Sequence, residues 1–272
     1  MALPTPSPGS TCLVTGASSG IGVEIARELA RRGHGLTLVA RREDLLRDVA
    51  EGLARDHGIR AETLAVDLSD ADARAAMPAA VEALGLEVSV LVNNAGFSTT
   101  GAVAASDHER EVGMVRTNIE AVVDLCSLFL PGMVARGSGA ILNVASTAAF
   151  QPLPGQAGYG ASKSFVLSYT HALRAELKGT GVTATTLCPG PVDTGFGEAA
   201  GFAKEDAENS LPKIMWIPAA AVAKAAVDGT ASGKAVVIPG VANRIAARFA
   251  YLAPRRILGS MLARQHPALR DS

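Results

Sequence analysis

The junction from Thr11 to Arg32 constrains this chain most. Thr11-Cys-Leu-Val-Thr15 is a short apolar run, Gly16-Ala-Ser-Ser-Gly20-Ile-Gly22 is a glycine-rich turn, and Val23 to Arg32 carries apolar residues at helical spacing up to Gly33. A short run without alternation reads as a strand buried on both faces, which is the habit of parallel sheets. Glycines between a strand and a helix let a pyrophosphate approach the backbone N–H groups at the helix N-terminus. Gly16, Gly20, Ile21 and Gly22 are therefore candidate cofactor contacts, with the Ser18 and Ser19 hydroxyls as extra donors.

The alternation continues along the chain. Strands are predicted at Leu36–Ala40, Ala61–Asp67, Val88–Val92, Ala140–Ala145, Val182–Cys188 and Ala235–Pro239. Between them, helical patterns begin at Glu43, run from Ala71 to Leu84 across Pro78, and extend from Ser106 to Arg136, with Ser106 as N-cap and Glu109 completing a capping box. Further helical patterns run through Tyr159 to Thr170 and from Pro218 to Asp228. Strand–helix alternation implies an α/β fold, a Rossmann-type doubly wound parallel sheet of about seven strands with helices on both faces. One catalytic domain is expected over residues 11–240, after a Pro-rich mobile lead-in at 1–10 and before a basic extension at 241–272.

Composition narrows the class. A chain of 272 residues, 48% hydrophobic, suits one α/β domain. A formal net charge of −1 gives no sign of a nucleic-acid partner. Cys12, Cys126 and Cys188 lack metal-ligand spacing, so reduced, buried thiols, no metal and a cytoplasmic setting are expected. The N-terminus lacks the basic start and apolar core of a signal peptide, and no apolar run is expected to approach the ~20 residues of a membrane span.

Chemistry concentrates between Ser146 and Lys163. Ser146 falls at the end of a predicted strand, the edge where open α/β sheets bind ligands. Tyr159 and Lys163 are four residues apart and share a helix face. A phenol near pKa 10 is a poor acid or base at neutral pH. An ammonium about 5 Å away, at an effective dielectric near 20, favours the phenolate by roughly 3 kcal/mol. The pair can thus serve proton transfer to an alkoxide, with the Ser146 hydroxyl donating to the same oxygen. Taken alone, the spacing also describes an ordinary amphipathic pair.

The second predicted strand ends in Ala40-Arg41-Arg42. In a dinucleotide fold this end faces the adenosine ribose, where an acid would repel a 2′-phosphate and Arg41 attracts it. Arg42 reads equally well as a solvated residue opening the next helix.

Ser146, Tyr159-Gly-Ala-Ser-Lys163, the Gly-x-x-x-Gly-x-Gly turn and Asn93-Asn94-Ala-Gly96 together resemble the short-chain dehydrogenase/reductase family over roughly residues 9–240. The resemblance implies hydride transfer between NADP(H) and a carbonyl or secondary alcohol, with Asn118, Ser146, Tyr159 and Lys163 as the catalytic set. It implies that Asn118 holds a water linking Lys163 to solvent. It places Asp67 and Leu68 at the adenine, Asn94 and Gly96 along the cofactor wall, and Lys163 on the ribose. It also places Pro189, Gly190, Val192 and Thr194 around the nicotinamide, Thr194 touching the carboxamide or the pyrophosphate, and implies a homo-oligomer. A non-catalytic nucleotide-binding scaffold or redox sensor is the alternative, although it has no chemical need for all four catalytic groups.

Residues 195–218 mix glycine and charge with Phe196, Phe202, Met215 and Trp216, as a mobile substrate lid would, and lean toward an apolar ketone, oxoacyl or steroid-like substrate. An ordinary surface excursion is the alternative. After Gly240, arginines alternate with large apolar residues, and Pro254 should divide two helices. Packing on the enzyme or a partner subunit is the simpler expectation for this tail; contact with an anionic membrane is the other.

Overall fold

The computed structural model describes residues 3–199, 212–265 and 269. Phe202 of the expected lid and Arg270 and Asp271 of the tail lie outside the described residues. Seven parallel strands form one sheet: β1 (Ser10–Thr15), β2 (Leu36–Ala40), β3 (Ala61–Ala65), β4 (Glu87–Asn93), β5 (Gly139–Val144), β6 (Val182–Leu187) and β7 (Val236–Val237). Their order, β3-β2-β1-β4-β5-β6-β7, reverses between β1 and β4 and so opens a crevice at the carboxyl ends of those strands.

The period-two alternation of side chains divides the core into two layers. Cys12 and Val14 face α1 (Gly20–Arg31), α2 (Glu43–His57) and α9 (Ala219–Ala231), which follows the short α8 (Phe196–Ala199), packing with Ile25, Leu46 and Val222. Leu13, Leu91 and Ile141 face the opposite layer, where α4 (Met77–Ala83), α6 (Ala121–Arg136) and α7 (Ala157–Glu176) contribute Val81, Leu125, Phe129 and Val166. Helices thus cover both faces, as the near-continuous apolar strands require.

Several expected elements differ in detail. Pro78 does not sit inside one helix: α3 (Ala71–Ala75) ends and α4 begins, placing the proline in its first turn, where no N–H is needed. The long helix starts one residue late. Asp107, not Ser106, is its N-cap, its carboxylate accepting from the Arg110 N–H at 3.1 Å, while the Ser106 hydroxyl turns back to the Val103 carbonyl. That helix is also interrupted: α5 (His108–Val115) passes through a π turn at Arg116–Glu120 before α6. Contrary to the expectation that no apolar run approaches the length of a membrane span, His108–Arg136 as a continuous stretch is long and apolar enough to cross one by length and composition. Its apolar face is spent on the sheet, through Val122, Leu125, Cys126, Phe129 and Met133, so it is a core helix. The lead-in is anchored, since Leu3 packs on the core and Ser10 already belongs to β1.

Candidate active site

A cleft of about 1040 Å³ runs along the carboxyl edge of the sheet. One end is made by Gly16 to Ile21, the far wall by Arg41, Arg42, Asp67 and Leu68, and the other end by Ser146, Tyr159, Lys163 and the Pro189–Thr194 turn. Residues spread over most of the chain thus meet because each follows a strand that ends at the same edge.

The glycine turn is built for close approach. A Cβ on Gly22 would stand 2.3 Å from the Gly16 carbonyl oxygen and 2.6 Å from Asn94 Nδ2, so any side chain would force the loop apart. Asn94 holds the loop from the other side, its side-chain amide donating to the Thr15 carbonyl at 2.9 Å. Asn93 reaches the next strand, donating to Asn143 Oδ1 at 2.9 Å. These asparagines tie β1, β4 and β5 at their ends. Ser19 is the N-cap of α1 but its hydroxyl makes no cap bond, which leaves it for an anion at the helix N-terminus. Thr194 rests on Gly20, its Cβ 3.2 Å from where a Gly20 Cβ would lie, which puts it at the phosphate loop.

Arg41 and Arg42 both line the cleft. Arg42, which also reads as a solvated helix opener, donates to Ser18 Oγ at 3.3 Å and so bridges the end of β2 to the glycine loop. Nearby, Asp67 accepts from the Ser69 N–H at 2.9 Å and hydroxyl at 2.8 Å, a turn of the Asx kind. Although burial raises the Asp67 pKa, the Ser69 bonds and the Arg41 charge prevail and hold it below the usual carboxylate range. The Leu68 side chain belongs to the core, and its carbonyl accepts from Arg74 at 2.8 Å. Arg74 is wholly buried and also pairs with Asp124 at 2.6 Å and with Glu120, fixing this turn against α6. Nothing in the spacing of the sequence marks Arg74 as buried.

At the other end, α7 buries Tyr159 and Lys163. The Lys163 ammonium lies 5.7 Å from the Tyr159 ring centroid and donates to the Val144 carbonyl at 3.0 Å. Burial reverses the expected electrostatics. It pushes the phenol up to about 12 against a hydrogen bond from Ser146, and pushes the amine down to about 8. The Coulomb gain anticipated from the sequence omits the desolvation of both groups, which here is the larger effect. Tyr159 is therefore held as the protonated phenol at neutral pH.

Asn118 sits in the π turn, a feature frequent at functional sites. Its side chain is fully engaged as a donor, giving one N–H to the Phe97 carbonyl at 2.9 Å and one to Ser162 Oγ at 3.1 Å, while Oδ1 accepts from the Phe97 N–H at 3.1 Å. Gly96 is pressed against this group rather than only along a ribose wall: a Cβ there would be 2.9 Å from Asn118 Oδ1 and 3.3 Å from Lys163 Nζ. Asn243, which the sequence did not single out, lies under Gly190. A Cβ at Gly190 would be 2.4 Å from Asn243 Oδ1, and Asn243 donates to the Met215 carbonyl at 2.9 Å and the Pro239 carbonyl at 3.1 Å. One buried amide thus joins the Pro189–Thr194 turn, the end of the lid segment and the tail.

Phe97, Leu153, Phe196 and Trp216 line the cleft; Phe97 and Leu153 pack on the cluster that holds Tyr159, and the Phe196 ring tilts against the Tyr159 ring at 5.8 Å between centroids. Gln151 and Gln156 also line the cleft and add polar groups.

A parallel sheet with a glycine turn at its switch point and a Ser, Tyr, Lys cluster at the same edge defines a nucleotide-binding α/β protein of the Rossmann type. The model of the short chain dehydrogenases matches residues 10–204, and the chain belongs to that family of oxidoreductases. It is 38% identical over 186 residues to sulfoacetaldehyde reductase 2 of Chromohalobacter salexigens, covering 68% of this chain and 73% of that one. It is 35% identical over 189 residues to very-long-chain 3-oxoacyl-CoA reductase-A of Danio rerio, covering 68% of this chain but only 59% of the longer relative. Among solved structures, a short-chain dehydrogenase from Sphingobium yanoikuyae in complex with NADPH superimposes with a TM-score of 0.78 at 33% identity, covering 88% of this chain and 92% of that one.

Proposed function

We propose that this chain is an NADPH-dependent reductase of an apolar ketone or oxoacyl carbonyl. The observation that carries the reading is the placing of Ser146, Tyr159 and Lys163 at one end of a cleft whose far wall holds Arg41 and Arg42. The residues fit the cofactor: Ser19 with the α1 N-terminus for the pyrophosphate, the two arginines for the 2′-phosphate, and Lys163 for the ribose. NADPH, when bound, supplies the hydride.

The protein supplies the rest. Ser146 and Tyr159 donate to the substrate oxygen, and Tyr159 releases its proton as negative charge gathers there. Lys163 stabilises the phenolate that remains. The π turn at Asn118 adjoins Lys163 through Gly96 and is the place for the water that returns the proton. Phe97, Leu153, Phe196 and Trp216 give the substrate an apolar wall, and the NADPH-bound and 3-oxoacyl-CoA-reducing relatives support both halves of the assignment.

A redox sensor would need an accessible, acidic thiol. Cys12, Cys126 and Cys188 are buried, and burial pushes all three thiols up, Cys126 to about 11 and Cys188 to about 12. Three free thiols also fit a reducing, cytoplasmic setting. Turnover of a graded series of ketones with NADPH and with NADH tests the proposal. Turnover that rises with apolar bulk and prefers NADPH is expected; no turnover of any ketone overturns it.

A further inference from the structure

The helix after Gly240 packs with its bulky residues outward. α10 (Val241–Leu252) buries Asn243, Ala247 and Ala250, the small or polar members of its sequence. Val241, Ile245, Phe249 and Leu252 stand 62%, 66%, 66% and 73% exposed. Steps of four, four and three set them in one stripe, opposite the buried face. A single exposed apolar residue is ordinary, whereas a contiguous stripe marks a contact surface. The expectation that this tail simply packs on the enzyme therefore holds for one face of α10 only.

Charge identifies what the stripe fits. Arg244 and Arg248 border it, and α11 (Arg255–Gln265) adds Arg255, Arg256 and Arg264, all exposed, beside exposed Ile257 and Met261. Residues 241–265 contain no Asp or Glu. A second copy of this chain apposed here would set arginine against arginine with no acid on these helices to pair it. We propose that α10 and α11 dock on the surface of an anionic lipid bilayer, the apolar stripe entering the headgroup–acyl boundary and the arginines meeting lipid phosphates. α10 also touches the Thr147–Phe150 turn after Ser146 and the Lys213–Met215 turn before Trp216, where Lys213 and Ile214 are exposed. On the reductase reading above, docking would bring the apolar end of the cleft close to lipid.

Sedimentation of the full chain with vesicles tests this independently of turnover. Vesicles of equal parts phosphatidylcholine and phosphatidylglycerol should pellet the protein at low salt, and high salt should release it. Pure phosphatidylcholine should bind it weakly. Arg248→Gln and Arg255→Gln should each loosen binding about fivefold. Ile245→Ser with Phe249→Ser should abolish it while leaving thermal unfolding and turnover unchanged, since both side chains are exposed and outside the site. Protein that stays in the supernatant with anionic vesicles at low salt overturns the proposal. So does equal binding to neutral vesicles, or a dimer that the Ser variants dissociate, which would assign the face to a second copy. If no ketone is turned over but anionic vesicles still bind, only the reductase reading fails.

Discussion

Lys163 should make the protein less stable than it could be, and Lys163→Met separates that cost from its use. Burial pushes the amine from the ordinary lysine range of about 10.5 down to about 8. At about 1.4 kcal/mol per tenfold change in proton affinity, this is roughly 3 kcal/mol against the folded state at neutral pH. Methionine fills similar space without a charge but leaves the Val144 carbonyl without its donor, a loss of about 1 kcal/mol. The net expectation at pH 7 is a gain of roughly 2 kcal/mol, or about 4 °C in Tm for a chain of this size. The sign follows from proton binding. Between pH 8 and about 10.5 the unfolded chain holds the proton that the folded chain has released, so stability of the parent rises with pH there. The full cost therefore applies below pH 8 and disappears by about pH 10.5. Urea unfolding of the cofactor-free protein, followed by circular dichroism near pH 7 and near pH 10, measures it. The variant should be the more stable at pH 7, lose that advantage near pH 10, and show little turnover at either. A variant less stable at pH 7, or a difference that ignores pH, would refute the desolvation argument.

Tyr159→Phe should lower ketone turnover by at least ~10²-fold while keeping NADPH affinity within a few-fold, as removal of a general acid does; near-normal turnover sinks the assignment. Because burial holds Tyr159 up to about 12, the reduction rate should stay flat through neutral pH and fall only under alkaline conditions, whereas alcohol oxidation, which needs the phenolate, should rise with pH. Stopped-flow rates in both directions check this. Arg41→Ala should weaken NADPH binding about 10- to 150-fold, the loss of one charge-assisted contact, with NADH nearly unchanged. Adding Arg42→Ala should weaken NADPH further, and equal affinity of the parent for both cofactors in a fluorescence titration would contradict the reading. Gly22→Ala drives a methyl to within 2.3 Å of the Gly16 carbonyl oxygen, so it should cost about 1–3 kcal/mol in urea unfolding and abolish tight cofactor binding; a silent substitution would mean the loop is not so tightly closed.

The strands, the glycine turn and the Tyr159–Lys163 spacing are legible in the sequence because each is a local pattern. An apolar run buried on both sides, a glycine between strand and helix, and a four-residue step on one helix face all follow from the backbone geometry of neighbouring residues. Strand order is only narrowed by the same alternation, since βα units leave few topologies, and the closed sheet fixes it. What the sequence leaves open depends on residues far apart in the chain. Ser106 and Asp107 are both good caps, and only the closed structure selects Asp107. Arg74 looks like a surface arginine until Leu68, Glu120 and Asp124 surround it. Asn243 gains a role only because Gly190, Met215 and Pro239 converge on it. The alternation of arginine and large apolar residues after Gly240 announces an amphipathic helix but not which face turns inward. The tertiary structure buries the small residues and leaves the large ones to solvent. The direction of the Tyr159 pKa turns on the same distinction. Its charged neighbour is visible four residues away, whereas desolvation is set by every element that closes around the phenol, and no spacing along the chain encodes it.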